Sequence, residues 1–207
     1  MQEKKILGII LAGGASRRFG ADKCAALLGG KPLLEWVIER ARPQVGLLLL
    51  NANSEIRCAP EIERLSDHSP GEGPLAGILP ALKKAEVCNF THVVSFACDT
   101  PFFPSDIVEH LSQTLHKSSA DYAVARCEGT IHRIFALWPV SCRTTLEAAF
   151  AAGARSMQSV ENRLTPTWAE FAPQGGPTGD PFFNINTPAD LLVARRWLNE
   201  QAMSGFG

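Results

Sequence analysis

Short, uninterrupted apolar runs alternate with longer amphipathic stretches along this chain, and this alternation is the strongest constraint on its fold. Residues 5–11 (KILGIIL) and 45–50 (VGLLLL) are almost wholly apolar. Runs of this kind are typical of strands buried on both faces of a parallel sheet. Residues 92–97, 121–126 and 132–138 have the composition of further strands. The pattern therefore predicts a sheet that is covered by other elements on both faces.

Amphipathic segments between these runs have the character of helices. The first begins at Pro32, has apolar residues along one face, and ends before Pro43. The last follows Thr187-Pro188-Ala189-Asp190, which combines an N-cap residue, a proline at N1 and an acid at N3. Strands alternating with helices predict an α/β fold, a three-layer α/β/α sandwich with a mainly parallel, Rossmann-like sheet. The other predicted helices cover 74–85, 104–115 and 140–152, the last helix runs from 188 to about 201, and 127–131 and 172–181 are predicted loops.

Composition and charge narrow the class of protein. The chain has 207 residues, of which 45% are hydrophobic and 20% charged, and this balance predicts a single globular domain over 1–207. A net charge of −1 provides no overall positive potential that would attract nucleic acid. The charge is uneven, however, because the first 50 residues hold eight lysines and arginines against four acids.

Location and redox state follow from the same sequence. No stretch approaches the ~20 apolar residues of a membrane span, and the apolar start is better explained by a buried first strand than by a secretory signal. The six cysteines include no CxxC pair, so we expect free thiols. These features together predict a cytoplasmic protein that binds no membrane.

A glycine-rich segment, LAGGASRRFGADK, follows the first predicted strand from Leu11 to Lys23. Its glycines, among them Gly13, allow the backbone to approach a ligand closely and to turn amide groups toward an anion. Arg18 can grip phosphate oxygens with its forked guanidinium, and Lys23 adds a movable charge. The segment matches neither the P-loop nor GxGxxG. On these residues alone, a phosphate-binding loop and a plain strand-to-helix turn are about equally good explanations.

An acidic residue, Asp99, comes directly after the predicted strand 92–97 and before Pro101. Ligands of open α/β sheets bind beyond the carboxyl ends of the strands, and Asp99 lies at such an end. A carboxylate there is well placed to hold Mg²⁺ against phosphates. A turn aspartate is the commoner role. Asp99 therefore favours a metal site only in combination with the glycine-rich segment.

Several side-chain amides and acids are weaker candidates for substrate contacts. Asn51 and Asp67 are candidate nucleobase or ribose contacts, and Asn184 and Asn186 are candidate substrate amides. Taken alone, Asn51 and Asp67 are better explained as an Asx turn and a loop acid, whereas Asn184 and Asn186 either order the turn before the last helix or contact substrate. The five histidines have no HExxH or paired spacing, so no zinc site is predicted.

The combination of these segments resembles the nucleotidyltransferases that build nucleotide derivatives of molybdopterin, and within them the molybdenum cofactor guanylyltransferase family. The glycine-rich segment alone marks a broader superfamily that includes sugar-nucleotide and CTP-using enzymes, and NINTP near the end narrows the likeness. The resemblance spans nearly the whole chain. The matching pieces, in order, are LAGGASRRFGADK with GGKPLLEWV, the strand ending in Asn51, GPLAG at 73–77, CDTPFFP at 98–104 and FNINTPADL at 183–191.

The resemblance implies a reaction and a set of site residues. The reaction is transfer of GMP from GTP to the terminal phosphate of molybdopterin, with Mg²⁺ as cofactor, release of pyrophosphate and formation of molybdopterin guanine dinucleotide. Asp99, Lys23 and Arg18 match the catalytic positions, with Asp99 as the metal ligand, and Asn184 and Asn186 match the pterin end. The positions that match GTP contacts are Leu11, Ala12, Gly13, Lys23, Asn51, Asp67 and Asp99.

Three departures from the family pattern and two alternative functions accompany this interpretation. Phe19 replaces the usual Met, the insertion-prone string HSPGE directly follows Asp67, and His132-Arg133 replaces a usual His-Pro pair. The alternatives are a related enzyme that uses CTP or a sugar-1-phosphate acceptor, and a non-catalytic nucleotide-binding module on the same fold. The expected partners are GTP and molybdopterin, with transient contacts to other proteins of molybdenum cofactor biosynthesis or to recipient molybdoenzymes.

Overall fold

A computed structural model gives the structure of residues 5–12, 23–52, 58, 59, 61–66 and 73–204. Within these residues the chain forms nine strands, five α-helices and several short 3₁₀ turns. The helices are α1 (Leu33–Ala41), α2 (Pro74–Val87), α3 (Ile107–His116), α4 (Arg143–Ala151) and α5 (Pro188–Ser204). The strands are β1 (Ile6–Leu11), β2 (Leu27–Leu28), β3 (Lys31–Pro32), β4 (Leu47–Asn51), β5 (Arg64–Leu65), β6 (His92–Ala97), β7 (Tyr122–Cys127), β8 (Thr130–Pro139) and β9 (Pro166–Phe171).

Seven of these strands form one sheet in the order β5-β4-β1-β6-β8-β7-β9. Strand β8 runs antiparallel to both of its neighbours, and the other adjacent pairs are parallel. Strands β2 and β3 form a separate small hairpin. The prediction of a mainly parallel sheet is therefore confirmed.

Helices cover both faces of the sheet, as the unbroken apolar runs predicted. The apolar sides of α1 and α3 pack against one face, around Phe96 and Phe103. Those of α2 and α4 pack against the other face, around Trp138. A third, smaller core joins α5 to the β2–β3 hairpin through Leu28, Ile185 and neighbouring residues. The three-layer α/β/α sandwich is confirmed, with α5 closing one end of it.

Two segments differ from the sequence-based prediction. Strand β9 was not predicted, and it extends the sheet by pairing in parallel with β7. The predicted loop at 127–131 is a tight hairpin, in which Glu128 and Gly129 have φ values of 46° and 81° and connect β7 directly to β8. Both residues in the left-handed region match the turn that two-residue hairpins favour. Residues 172–181 lie outside the strands and α-helices, as expected.

The described residues bear on two expectations from the sequence, which concern the state of the cysteines and the presence of membrane-spanning helices. None of the six cysteines, which all lie within the described residues, forms a disulfide bond, and four of them are buried. Within the ranges that the structure describes, the helices are too short or too polar to cross a membrane.

The connections of β1 create a crevice at the carboxyl edge of the sheet. The chain leaves β1 for β4 through α1 on one face, and reaches β6 through α2 on the other face. Ligands of such sheets bind where the strand order reverses in this way. Backbone bonds join the three strand ends there, since the Ala12 amide donates to the Asn51 carbonyl (3.0 Å) and the Cys98 amide donates to the Leu11 carbonyl (3.4 Å).

Candidate active site

The ammonium group of Lys23 is the centre of a polar cluster at this crevice. Lys23 begins a 3₁₀ turn, and its Nζ forms an ion pair with the Asp99 carboxylate. The same Nζ donates to Asn186 Oδ1 at 2.6 Å and lies 3.4 Å from Asn184 Oδ1. The side chains of Lys23 and Asp99 are only 12% and 17% exposed, so water screens their attraction less than it would screen a surface pair. Four residues from three distant parts of the sequence thus meet around one positive charge.

Asp99 is held where β6 ends. Its backbone carbonyl accepts a hydrogen bond from the Ile185 amide at 2.9 Å, and its Oδ1 accepts one from Thr100 Oγ at 3.3 Å. Thr100 is buried, so it holds the Asp99 carboxylate in place at the edge of the crevice. Asp99 was predicted to lie at this edge, and the structure places it there.

Asn184 and Asn186 lie on an extended segment that leads into α5. Ile185, between them, is fully buried in the core formed with Leu28 and Phe102. Because side chains alternate along extended backbone, the two asparagines share the opposite side, toward Lys23. The sequence suggested both residues as substrate contacts but gave no sign that they touch Lys23.

A capping box fixes the end of this segment. Thr187 is the N-cap residue of α5, and the Asp190 carboxylate accepts hydrogen bonds from the backbone amides of Asn186 (2.9 Å) and Thr187 (2.8 Å). In return, Thr187 Oγ accepts from the Asp190 amide at 3.2 Å. The cap predicted from the sequence is therefore present, and it anchors Asn186 directly.

Asn51 ends β4 with its side chain turned into the protein. It is 3% exposed, and its Nδ2 donates to the Leu65 carbonyl at 3.2 Å. Its Oδ1 packs so closely on Gly77 that a Cβ atom there would lie 2.3 Å away. This close contact explains why Gly77, the second glycine of GPLAG, has no side chain. The predicted nucleotide contact of Asn51 stays a prediction.

The remaining predicted residues, which are four nucleotide contacts and the catalytic Arg18, divide into two groups. Leu11 and Ala12 lie at the carboxyl end of β1, and their backbone groups bridge to Cys98 and Asn51 as described above. Gly13, Arg18 and Asp67 lie outside the described residues. All five remain predictions as ligand contacts.

His132 lies at the start of β8, with its ring stacked on Phe182 at 4.4 Å between centroids and 26° between planes. Its Nε2 is buried, has no hydrogen-bond partner among the described residues, and is 3.9 Å from Asp180 Oδ1. Burial lowers the pKa of His132, and the Asp180 carboxylate acts in the opposite direction. The stacking of His132 on Phe182 packs the segment just before Asn184 against β8.

Cys98 adjoins Asp99, but its environment disfavours a thiolate. A hydrogen bond with Cys24 and burial both raise the pKa of the Cys98 thiol well above its usual value. A neutral, buried thiol is a poor nucleophile. Cys98 is therefore suited to a structural role.

The fold and the cluster define a class of protein: an α/β enzyme whose site, at the carboxyl ends of β1 and β6, carries a lysine and an aspartate suited to phosphate groups and a hard cation. The family model for the MobA-like NTP transferase domain matches residues 8–167. The chain therefore belongs to this family and is a nucleotidyltransferase.

Curated relatives support the same membership. The chain is 39% identical over 199 residues to a molybdenum cofactor guanylyltransferase of Rhizobium leguminosarum bv. trifolii, covering 94% of this chain and 93% of that one. It is 41% identical over 206 residues to the protein of that name from Rhizobium meliloti, covering 92% and 90%. The resemblance inferred from the motifs is confirmed.

Solved structures share the fold. Molybdopterin-guanine dinucleotide biosynthesis protein A from Archaeoglobus fulgidus matches with a TM-score of 0.75 and 28% identity, covering 94% of this chain and 99% of that one. A 4-diphosphocytidyl-2C-methyl-D-erythritol synthase from Anaerococcus prevotii matches with a TM-score of 0.71 at 13% identity, covering 96% and 100%, which shows a common fold alone.

Proposed function

We propose that this protein transfers GMP from GTP to the terminal phosphate of molybdopterin, with release of pyrophosphate. The observation that carries the proposal is the meeting of Lys23 with Asp99 at the switch point of a nucleotidyltransferase sheet. The names of the curated relatives support the choice of guanine nucleotide and of molybdopterin as substrates.

The residues of the site suit this chemistry. The attacking phosphate is already an anion, so the reaction needs no strong general base. It needs positioning and neutralisation of charge while two phosphate groups approach each other. Lys23 supplies a positive charge in a partly dehydrated position, and Arg18 would add a second cation from the glycine-rich segment. A lysine, an arginine and an acid can therefore support this reaction without the nucleophile–base–acid triad of a hydrolase.

Asp99 fits a magnesium ion. Mg²⁺ is usually held by one or two carboxylates together with substrate phosphates and water. The described residues contain no cluster of three or more histidine, cysteine or acidic side chains that could hold a metal by themselves, so the substrate phosphates would complete the coordination. When bound, Mg²⁺ would neutralise phosphate charge and orient the phosphates.

The acceptor end of the site is assigned to Asn184 and Asn186, which are exposed at the mouth of the crevice. Gly13 and Asp67 are assigned to the nucleotide with Leu11, Ala12 and Asn51. We place the whole reaction in a single domain over residues 1–207. Transient contacts with other proteins of molybdenum cofactor biosynthesis, or with recipient enzymes, belong to the same proposal.

Calorimetric titration of the purified protein with GTP, CTP and ATP in the presence of Mg²⁺ tests the nucleotide. We expect GTP to bind at least about tenfold more tightly than CTP, a difference that one or two base-specific hydrogen bonds provide. Lys23→Met should weaken GTP binding, whereas Lys83→Met, a change of an exposed lysine on α2, should leave it unaltered. Equal affinity for GTP and CTP, or tighter binding of CTP, would contradict the proposed substrate.

A further inference from the structure

We propose that Asn186, assisted by Asn184, is a positioning residue for Lys23. The two asparagines would then act on the nucleotide half of the reaction as well as on the pterin. The inference rests on the proposed function in one respect, which is that Lys23 binds the triphosphate.

The contacts around Nζ fix how the asparagine amides are turned. A lysine ammonium has three donors and no acceptor, so each amide presents its oxygen to Lys23. The donors of Nζ meet three oxygens, from Asp99, Asn186 (2.6 Å) and Asn184 (3.4 Å). The amide nitrogens necessarily point away from Lys23. They therefore remain donors for an acceptor molecule, and the positioning role is compatible with the predicted pterin contact.

The segment that carries the asparagines is anchored at several points. The Ile185 amide is bonded to the Asp99 carbonyl, and the Ile185 side chain is fully buried. The Asn186 amide is bonded to Asp190 in the α5 cap. The backbone that carries Asn186 is therefore anchored, and the Asn186 amide oxygen accepts a hydrogen bond from the end of the long, flexible lysine side chain.

A neutral amide holds Lys23 differently from a carboxylate. The ion pair with Asp99 positions the ammonium but also cancels its charge, and the same carboxylate is the candidate metal ligand. The asparagine oxygens bind the ammonium through their dipoles and leave its full positive charge in place. When Asp99 turns to a cation, the asparagines would still hold Lys23 toward the phosphates.

Binding of GTP without any acceptor tests this role. Calorimetry with Mg²⁺ should show that Asn186→Ala weakens GTP binding by about tenfold, as expected for the loss of one hydrogen bond to a charged group. Asn184→Ala should have a smaller effect, since its contact is longer. Asn199→Ala, an identical change at an exposed position of α5, is the control and should have no effect. Unchanged GTP affinity in Asn186→Ala, with only a raised KM for molybdopterin, would overturn the proposal.

A second measurement needs no nucleotide. Limited acylation with acetic anhydride, followed by mass spectrometry, gives the reactivity of Lys23 relative to the exposed Lys83. We expect Asn186→Ala to raise this ratio by about threefold or more, because the ammonium loses its nearest neutral partner. Asn186→Ser, which keeps an oxygen acceptor, should raise it less, and it replaces the alanine variant if circular dichroism shows that the alanine variant is unfolded. An unchanged ratio would refute the positioning role. Failure of the wild-type protein to bind GTP would refute the proposed function and leave this ratio as the test of the positioning role.

Discussion

Replacing Gly77 by alanine should destabilise the protein because of a single close contact. A Cβ atom at this position would lie 2.3 Å from Asn51 Oδ1, 2.7 Å from Asn51 Cγ and 2.9 Å from Leu11 Cδ2. The Leu11 methyl can shift, but the Asn51 amide is buried and bonded to the Leu65 carbonyl. The amide has to move, and its movement breaks that bond.

The expected loss follows from three contributions. Overpacking of a core costs about 1–3 kcal/mol. Leaving a buried polar group without its partner costs about 1–3 kcal/mol. The better helix propensity of alanine returns about 1 kcal/mol. The net loss of unfolding free energy for Gly77→Ala should be about 3 kcal/mol, measured by urea unfolding of the purified protein.

A double-mutant cycle identifies the cause of that loss. Asn51→Ala removes the two atoms that lie closest to the added Cβ, so Gly77→Ala should cost at least about 1 kcal/mol less in its presence than alone. Gly77→Ala without measurable destabilisation, or strictly additive effects of the two changes, would refute the steric explanation.

Three further changes test the supports of the site. Thr187→Ala removes the N-cap of α5 and should lower the unfolding free energy by about 1 kcal/mol in urea, whereas Thr187→Ser should recover most of it. His132→Phe keeps the ring on Phe182 and removes a buried nitrogen that has no hydrogen-bond partner in the described part of the chain, so it should raise the melting temperature; a lower one would show that the nitrogen is satisfied in solution. Burial lowers the pKa values of His92 and His132 below the usual 6.5. The unfolded chain therefore takes up protons at a higher pH than the folded one, and stability should fall as the pH drops from above 6.5 toward 5; a melting temperature that rises over this range would contradict the assignment.

The sequence predicted the central part of the fold because its strands are unbroken apolar runs. It missed β9 because Pro166 opens that strand and only Ala169 and Phe171 within it are buried. A strand that is half exposed at the edge of a sheet has no such run, and its pairing with β7 depends on a partner far away in the sequence. The Glu128-Gly129 turn has a glycine at its second position but a glutamate where such turns favour Asn, Asp or Gly, so the sequence indicated a loop there and not a two-residue hairpin.

The site was predictable in its residues but not in its contacts. Asp99 and Lys23 were identified from strand ends and residue type, and both lie in the crevice. The contact of Lys23 with Asn186 joins residues 163 positions apart, and no local pattern encodes such a pairing. Asn51 was likewise identified from its place at a strand end, but no local pattern encodes the packing of its buried amide against Gly77.

The most direct test of the central claim measures both products of the reaction at once. The wild-type protein is incubated with GTP, Mg²⁺ and molybdopterin, while pyrophosphate is assayed and the pterin product is weighed by mass spectrometry. We predict one pyrophosphate for each GMP-modified pterin, and a rate that falls by about 10²-fold or more in Asp99→Asn with the melting temperature retained. Formation of the adduct by Asp99→Asn at the wild-type rate, or consumption of GTP by the wild type without a GMP-modified pterin, would contradict the account.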